Sequence, residues 1–334
     1  LSAIKDVNVI IDIQKPTPVV GFGKPLIIGT SATAKPYKTY TELSEVAAEF
    51  TTGSEVYKAA KAILDQDNRP PEVAVMLRAT AGTWDDFLPT IFDKDWYFAV
   101  CTRSTLEDIT AIADAIEAAD ARQFAVSTSS KDDMTAIKAK EYKNTFVFYH
   151  TNIDNYPEAA LVGEAGSKPV GSITWKGQRL KGIQPLDITA AELREIHDLG
   201  ALTYVTKAGD PVTSEGKTVS GEYIDVIHSK HFVIHTLEYE VQKLFNNARD
   251  RKIGYDNTGI AQIEGVVRTV LQRCLNQGII ARGADGVGLY STTFKTREQT
   301  TPLERASRVY NGGTFAFELA GAIHETTIRG VVTY

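Results

Sequence analysis

The chain has only two cysteines, Cys101 and Cys274, far apart and each set in an apolar pattern. Two such residues do not make a disulfide framework. They read as buried thiols, which fits assembly in a reducing cytoplasm. No apolar run approaches the roughly 20 residues that a membrane-spanning helix needs. Leu1-Ser2-Ala3-Ile4-Lys5 shows none of the apolar stretch of a signal peptide. Positive charge is not in excess: 36 Lys and Arg stand against 42 Asp and Glu, a net of −6. That balance argues against nucleic acid, whose phosphates demand clustered cations. Internal repeats and low-complexity tracts are absent too.

The short motifs that carry chemistry are also missing. Gly21-Phe22-Gly23 lacks the third glycine of a dinucleotide fingerprint and precedes a strand instead of a helix. No Gly-rich loop ends in Lys-Ser or Lys-Thr, and no G-x-S-x-G elbow marks a serine hydrolase. His324-Glu325 begins like a zinc-protease motif, but Ile328 stands where the second histidine is needed. Asp65 and Asp67 begin like a calcium loop, yet Pro70 takes the required glycine position. His228, His231 and His235 lie on one side of a helix at spacings of three and four. Three imidazoles can hold a metal, but no nearby Asp or Cys completes a ligand set, and the favoured reading is a polar helix flank. Asp85-Asp86 and Asp132-Asp133 fall near helix starts, where carboxylates suit the dipole. Trp84, Trp96 and Trp175 are scattered and read as core or interface residues. No catalytic, cofactor or metal residue is nominated.

What is present is a regular alternation. The length of 334 residues allows about two domains. After Pro16-Thr17-Pro18, which breaks an early strand like a hinge, Leu26-Ile27-Ile28 reads as a short apolar strand. Helical faces at Leu43, Val46, Ala47 and Phe50 and at Val56, Ala59, Ala60, Ile63 and Leu64 follow. Strands then recur at Val73–Leu77, Tyr97–Cys101, Phe124–Val126 and Thr145–Tyr149, with a helix opened by Ser104 and Glu107 and another over 131–140. Such alternation implies a largely parallel sheet covered on both faces. Past about Lys181 the pattern changes. A short helix capped by Thr189 and Glu192 leads to short strands between Leu202 and Glu222. Two long helices come next, one carrying Ile224, Ile227, Ile234, Leu237 and Val241, the other Ile260 to Leu275 with a stop at Gly278. A Gly-rich loop, a helix start at Thr301-Pro302-Leu303-Glu304 and an alternating Phe315, Phe317, Leu319 strand follow.

Both extremities read as strand. Val7, Val9, Ile11 and Ile13 alternate with Asn8, Ile10, Asp12 and Gln14, and Ile328 to Tyr334 is a second run. A strand is held by a partner strand, since its free N–H and C=O groups template pairing. Two readings follow: strands of the domain's own sheet, or arms donated to other copies.

Several of these segments resemble one family. Gly221-Glu222-Tyr223-Ile224-Asp225-Val226-Ile227, Ile253 to Ile260, and Gly321-Ala322-Ile323-His324 before the last strand are similar to the tail-sheath proteins of contractile phages, prophages and phage-tail-like bacteriocins. Val7 to Ile13 followed by Gly21-Phe22-Gly23-Lys24-Pro25-Leu26 resembles the start of that family. The resemblance implies a structural subunit, not an enzyme, without cofactor. Subunits would stack as hexameric rings around an inner tube, exchange arms by β-augmentation, and contract to drive the tube through a cell envelope. The partners implied are other copies, the tail-tube protein, and baseplate and tail terminator proteins, with no nucleic acid and no membrane insertion. Its place would be the tail of a virion or related particle, assembled in the bacterial host cytoplasm.

Residue by residue, the resemblance assigns Val7, Val9, Ile11 and Ile13 to the N-arm and Ile328, Val331 and Val332 to the C-arm. Phe315, Phe317 and Leu319 would form the acceptor sheet and Pro16 and Pro18 the hinge. Arg305 and Arg308 would face an acidic tube, a solvated helix face being the plainer alternative. The expected fold is α/β, α+β taken whole. An arm and hinge span 1–20, an outer three-layer α/β domain 21–181, an α+β assembly domain 182–312, and C-terminal strands and arm 313–334. The competing reading is an α/β enzyme or nucleotide-like ligand-binding protein without a recognisable fingerprint.

Overall fold

A computed structural model of the chain describes residues 22–102, 105–248 and 252–324. Its centre is a seven-stranded sheet. In chain order the strands are β1 (Pro25–Ser31), β2 (Lys35–Tyr40), β3 (Val73–Ala79), β4 (Phe98–Cys101), β5 (Gln123–Thr128), β6 (Thr145–Tyr149) and β7 (Ala201–Leu202). Their spatial order is β2-β3-β1-β4-β5-β6-β7, parallel throughout except for the antiparallel edge strand β2. The α/β class is therefore as expected. β2 was not foreseen: Lys35 and Pro36 are residues that protect an edge, and its half-exposed pattern carries little apolar signal.

Seven helices accompany the sheet: α1 (Leu43–Glu49), α2 (Glu55–Leu64), α3 (Trp84–Ile91), α4 (Leu106–Ala119), α5 (Lys131–Lys138), α6 (Pro157–Ala165) and α7 (Ala190–Asp198). The period of two along β1 divides the core. Ile27 turns toward α1, α2 and α6, while Leu26 and Ile28 turn toward α3, α4, α5 and α7. All three are fully buried, each worth roughly 1.5–3 kcal/mol of apolar transfer. The result is a three-layer sandwich. α6 is buried along its whole length and lies so close to α2 that a Cβ at Gly163 would stand 2.5 Å from the Ile63 carbonyl oxygen. α4 starts one residue later than expected, with Thr105 and Asp108 as its capping box.

The sheet does not stop near residue 181. β7 pairs with β6, and Ile196, Leu202, Tyr204, Val219 and Ile224 belong to the same two cores. The packed α/β unit thus extends to the start of the long helices. Between them lies a hairpin, β8 (Tyr204–Lys207) and β9 (Asp210–Thr213).

The remainder is built on α8 (Ile224–Asn247) and α9 (Asn257–Asn276). Val233, Leu237 and Val241 meet Val267, Val270, Leu271 and Cys274 in a third core. Asp256 caps α9 by accepting from the Gly259 N–H, and Gly278, at φ +85°, turns the chain beyond its end. Antiparallel strands β10 (Tyr290–Phe294) and β11 (Gly313–Phe317) flank a short helix, α10 (Pro302–Ser307). Cys101 and Cys274 are both buried. Among the described residues no helix is long and apolar enough to cross a membrane.

Candidate assembly surfaces

β10 and β11 form a sheet of only two strands. Tyr290, Thr292, Phe294, Phe315 and Phe317 all turn one way and are half-buried; Phe294, Phe315 and Phe317 pack on the third core. Lys295 N–H donates to the Gly312 carbonyl (3.0 Å) and Glu318 N–H to the Leu289 carbonyl (2.9 Å). Those two bonds set the phase of the ladder, in which hydrogen-bonded pairs alternate with non-bonded ones. The backbone groups of Phe315 and Phe317 therefore point away from β10, and those of Thr292 and Phe294 point away from β11. Among the described residues no strand pairs with either outer edge. The rings of Phe315 and Phe317 lie parallel, with centroids 6.3 Å apart. Leu319 sits just beyond β11, bridged to Ile280.

Arg305 and Arg308 occupy α10 and its end. Arg305 donates to the Arg297 carbonyl (3.2 Å) and the Thr300 hydroxyl (3.3 Å), and also to the Thr300 carbonyl, so it ties its own loop together. Arg308 is exposed and ends the helix in a left-handed conformation, at φ 58°. Val7, Val9, Ile11, Ile13, Pro16, Pro18, Ile328, Val331 and Val332 lie outside the described residues.

The three histidines are not an exposed flank. His228 and His231 are buried, 4% and 3% accessible, where the first half of α8 meets the α/β unit. His228 stacks on Tyr97, centroids 4.5 Å apart, with Phe22 and Phe98 completing an aromatic box. His235 turns toward Phe22. Sequence periodicity placed these residues on one side of the helix but carried no sign that an aromatic partner waited there.

His324 accepts or donates a 2.8 Å bond with the Thr174 hydroxyl, and its ring lies edge-on to Tyr223. Trp96 and Trp175 are core residues. Asp85 and Asp86, and Asp132 and Asp133, stand in first turns capped by Thr83 and Ser130.

A ligand of a doubly wound sheet lies at the strand C-termini where the order reverses, here between β1 and β4. At that end the two strands stay in contact. Thr102 N–H donates to the Ile28 carbonyl (2.8 Å), and a Cβ at Gly29 would lie 2.1 Å from the Thr102 hydroxyl. The adjoining cavity, lined by Cys101, Ser127, Tyr156 and Glu158 among others, holds about 30 Å³, room for little more than a water. Glu158 is the residue the sequence reading missed. Its carboxyl is buried and pushed up to about 7 by burial, against a Ser127 hydrogen bond that acts the other way.

No family model and no curated protein matches the chain. Solved structures do. The fold is similar to that of a chain in the anti-feeding prophage baseplate, with a TM-score of 0.69 and 12% identity over 100% of this chain and 99% of that one. A chain of the anti-feeding prophage helical sheath in its contracted state gives 0.67 and 14%, again over 100% and 99%. The sheath tail protein of Desulfitobacterium hafniense gives 0.57 and 7%, over 93% and 99%. At such identities the fold is what is shared.

Proposed function

We propose that this chain is a structural subunit of a contractile tail sheath, which polymerises around an inner tube and contracts to drive that tube through the target cell envelope. The observation that carries the reading is the similarity to sheath and baseplate chains across the whole chain, both units included. The two outer edges of β10–β11 support it, because an unpaired edge over half-buried aromatic rings is what a strand from another copy can complete. Main-chain hydrogen bonds would supply affinity and alternating side chains the register. Val7, Val9, Ile11 and Ile13 serve as one donated strand and Ile328, Val331 and Val332 as another, with Phe315, Phe317 and Leu319 on the accepting side. Pro16 and Pro18 act as the hinge.

A contact that is not closed on itself generates a helical polymer, here stacked hexameric rings. In the particle the α/β unit faces outward and the α8–α9 unit lies nearer the tube. Of the two arginines, Arg308 is the better tube-facing candidate, since Arg305 is committed to its own loop. The remaining partners are baseplate and tail terminator proteins, and the location is the tail of a phage, prophage or bacteriocin particle assembled in its host's cytoplasm. The work comes from contacts formed on contraction, without a nucleotide.

Arm exchange is tested by deleting residues 1–15 or 325–334. Each truncation is expected to leave a folded subunit that no longer polymerises. Normal polymers from both would sink the reading.

A further inference from the structure

α8 belongs to both halves of the molecule. Its first turn enters the α/β core through Ile224, whose carbonyl accepts from the Gln123 amide at 3.2 Å. Its second half packs on α9 through Val233, Leu237 and Val241. His228 and His231 lie where one environment gives way to the other. The Tyr97 hydroxyl is 2.9 Å from His231 Nδ1, and His231 Nε2 is 3.4 Å from an Asp120 carboxylate oxygen. That pattern suits a neutral imidazole that accepts from the phenol and donates to the carboxylate. His228 has no such outlet. Its ring is boxed by Phe22, Tyr97 and Phe98, and among the described residues its Nε2 has no hydrogen-bond partner.

We propose that this histidine pair is a proton-sensitive joint, in which protonation of His228 in acid releases the first half of α8 from the α/β unit while each unit keeps its own core. Among the described residues, the titratable and charged groups in contact with it are Tyr97 before β4, Asp120 at the end of α4, and Lys230, His231 and His235 on α8. Among the described residues, Asp120 is the carboxylate that bonds the pair. It serves His231 and Lys230, the latter at 2.8 Å, and leaves none for His228. Burial pushes His228 down to about 3, with the nearby His231 adding to the effect. Burial also lowers His231, and its bond to Asp120 opposes that. The sign follows: an exposed imidazole binds a proton from about pH 6.5 downward and the boxed one does not, so opening is favoured as pH falls below that value.

Hydrogen exchange of the full unpolymerised chain tests this between pH 7 and 4. Protection of amides in residues 226–236 is expected to fall about tenfold per pH unit below about 6, faster than that of β5 and β6. His228→Phe should flatten that dependence. Exchange at the histidine C2 positions of the unsubstituted chain reads each imidazole directly and needs no variant. His228 should stay uncharged well below pH 6. A His228 that titrates near 6.5 in the closed protein, or an equal slope in wild type and His228→Phe, would overturn the proposal.

Discussion

At the scale of single residues, burial acts with opposite sign on His228 and on Glu158. His228 is kept neutral against acid, and Glu158 is kept protonated against base. The Glu158 carboxyl, at about 7 against the usual 4.5, binds a proton in the folded state over a range where the unfolded chain has released it. Its contribution to stability is therefore present below about pH 4.5 and is lost as pH rises toward 7. The size is roughly 3 kcal/mol at 1.4 kcal/mol per unit. Glu158→Gln should abolish this loss, leaving stability near wild type at pH 5 and raised by about 1–3 kcal/mol at pH 8, as chemical denaturation at the two pH values would show. An equal pH dependence in both proteins would mean that Glu158 is ionised and paired at neutral pH. Neither residue's role was legible in the sequence. An acid in the first turn of a helix reads as a dipole partner, and a histidine between apolar helix positions reads as a flank. Burial by a distant segment is what overrides both readings.

At the scale of elements, sequence and structure agree where local pattern and tertiary environment agree. β3, β4, β5 and β6 are short apolar runs because both of their faces are covered, and the periodicity of α2, α4, α8 and α9 marks real packing faces. β2 was missed because an edge strand is half-exposed, and β7 because two residues make no pattern. The pairing of β10 with β11 was not legible either, since it joins segments separated by α10. That pair also yields the sharpest element-level expectation. Phe315 N–H points away from β10, so proline at this position removes a donor from the outer edge without cutting the β10–β11 ladder. Phe315→Pro should leave the melting of the α/β unit close to wild type and abolish polymerisation, while Phe315→Leu should polymerise. Sedimentation separates the two outcomes. Polymers formed normally by Phe315→Pro would show that this edge is not the acceptor.

At the scale of the whole molecule, the arrangement is one closed unit and one open one. The seven-stranded sheet is covered on both faces by helices. The α8–α9 unit carries a two-stranded sheet with both outer edges unpaired among the described residues. A pair of strands is marginal until neighbours extend it, and for an assembling subunit other copies are those neighbours. The most direct measurement is negative-stain electron microscopy of the purified full chain over a range of concentrations, alone and mixed with an inner tube protein. Hollow, transversely striated tubes or stacked rings are expected. Discrete single subunits at every concentration, with and without the tube, would contradict the account.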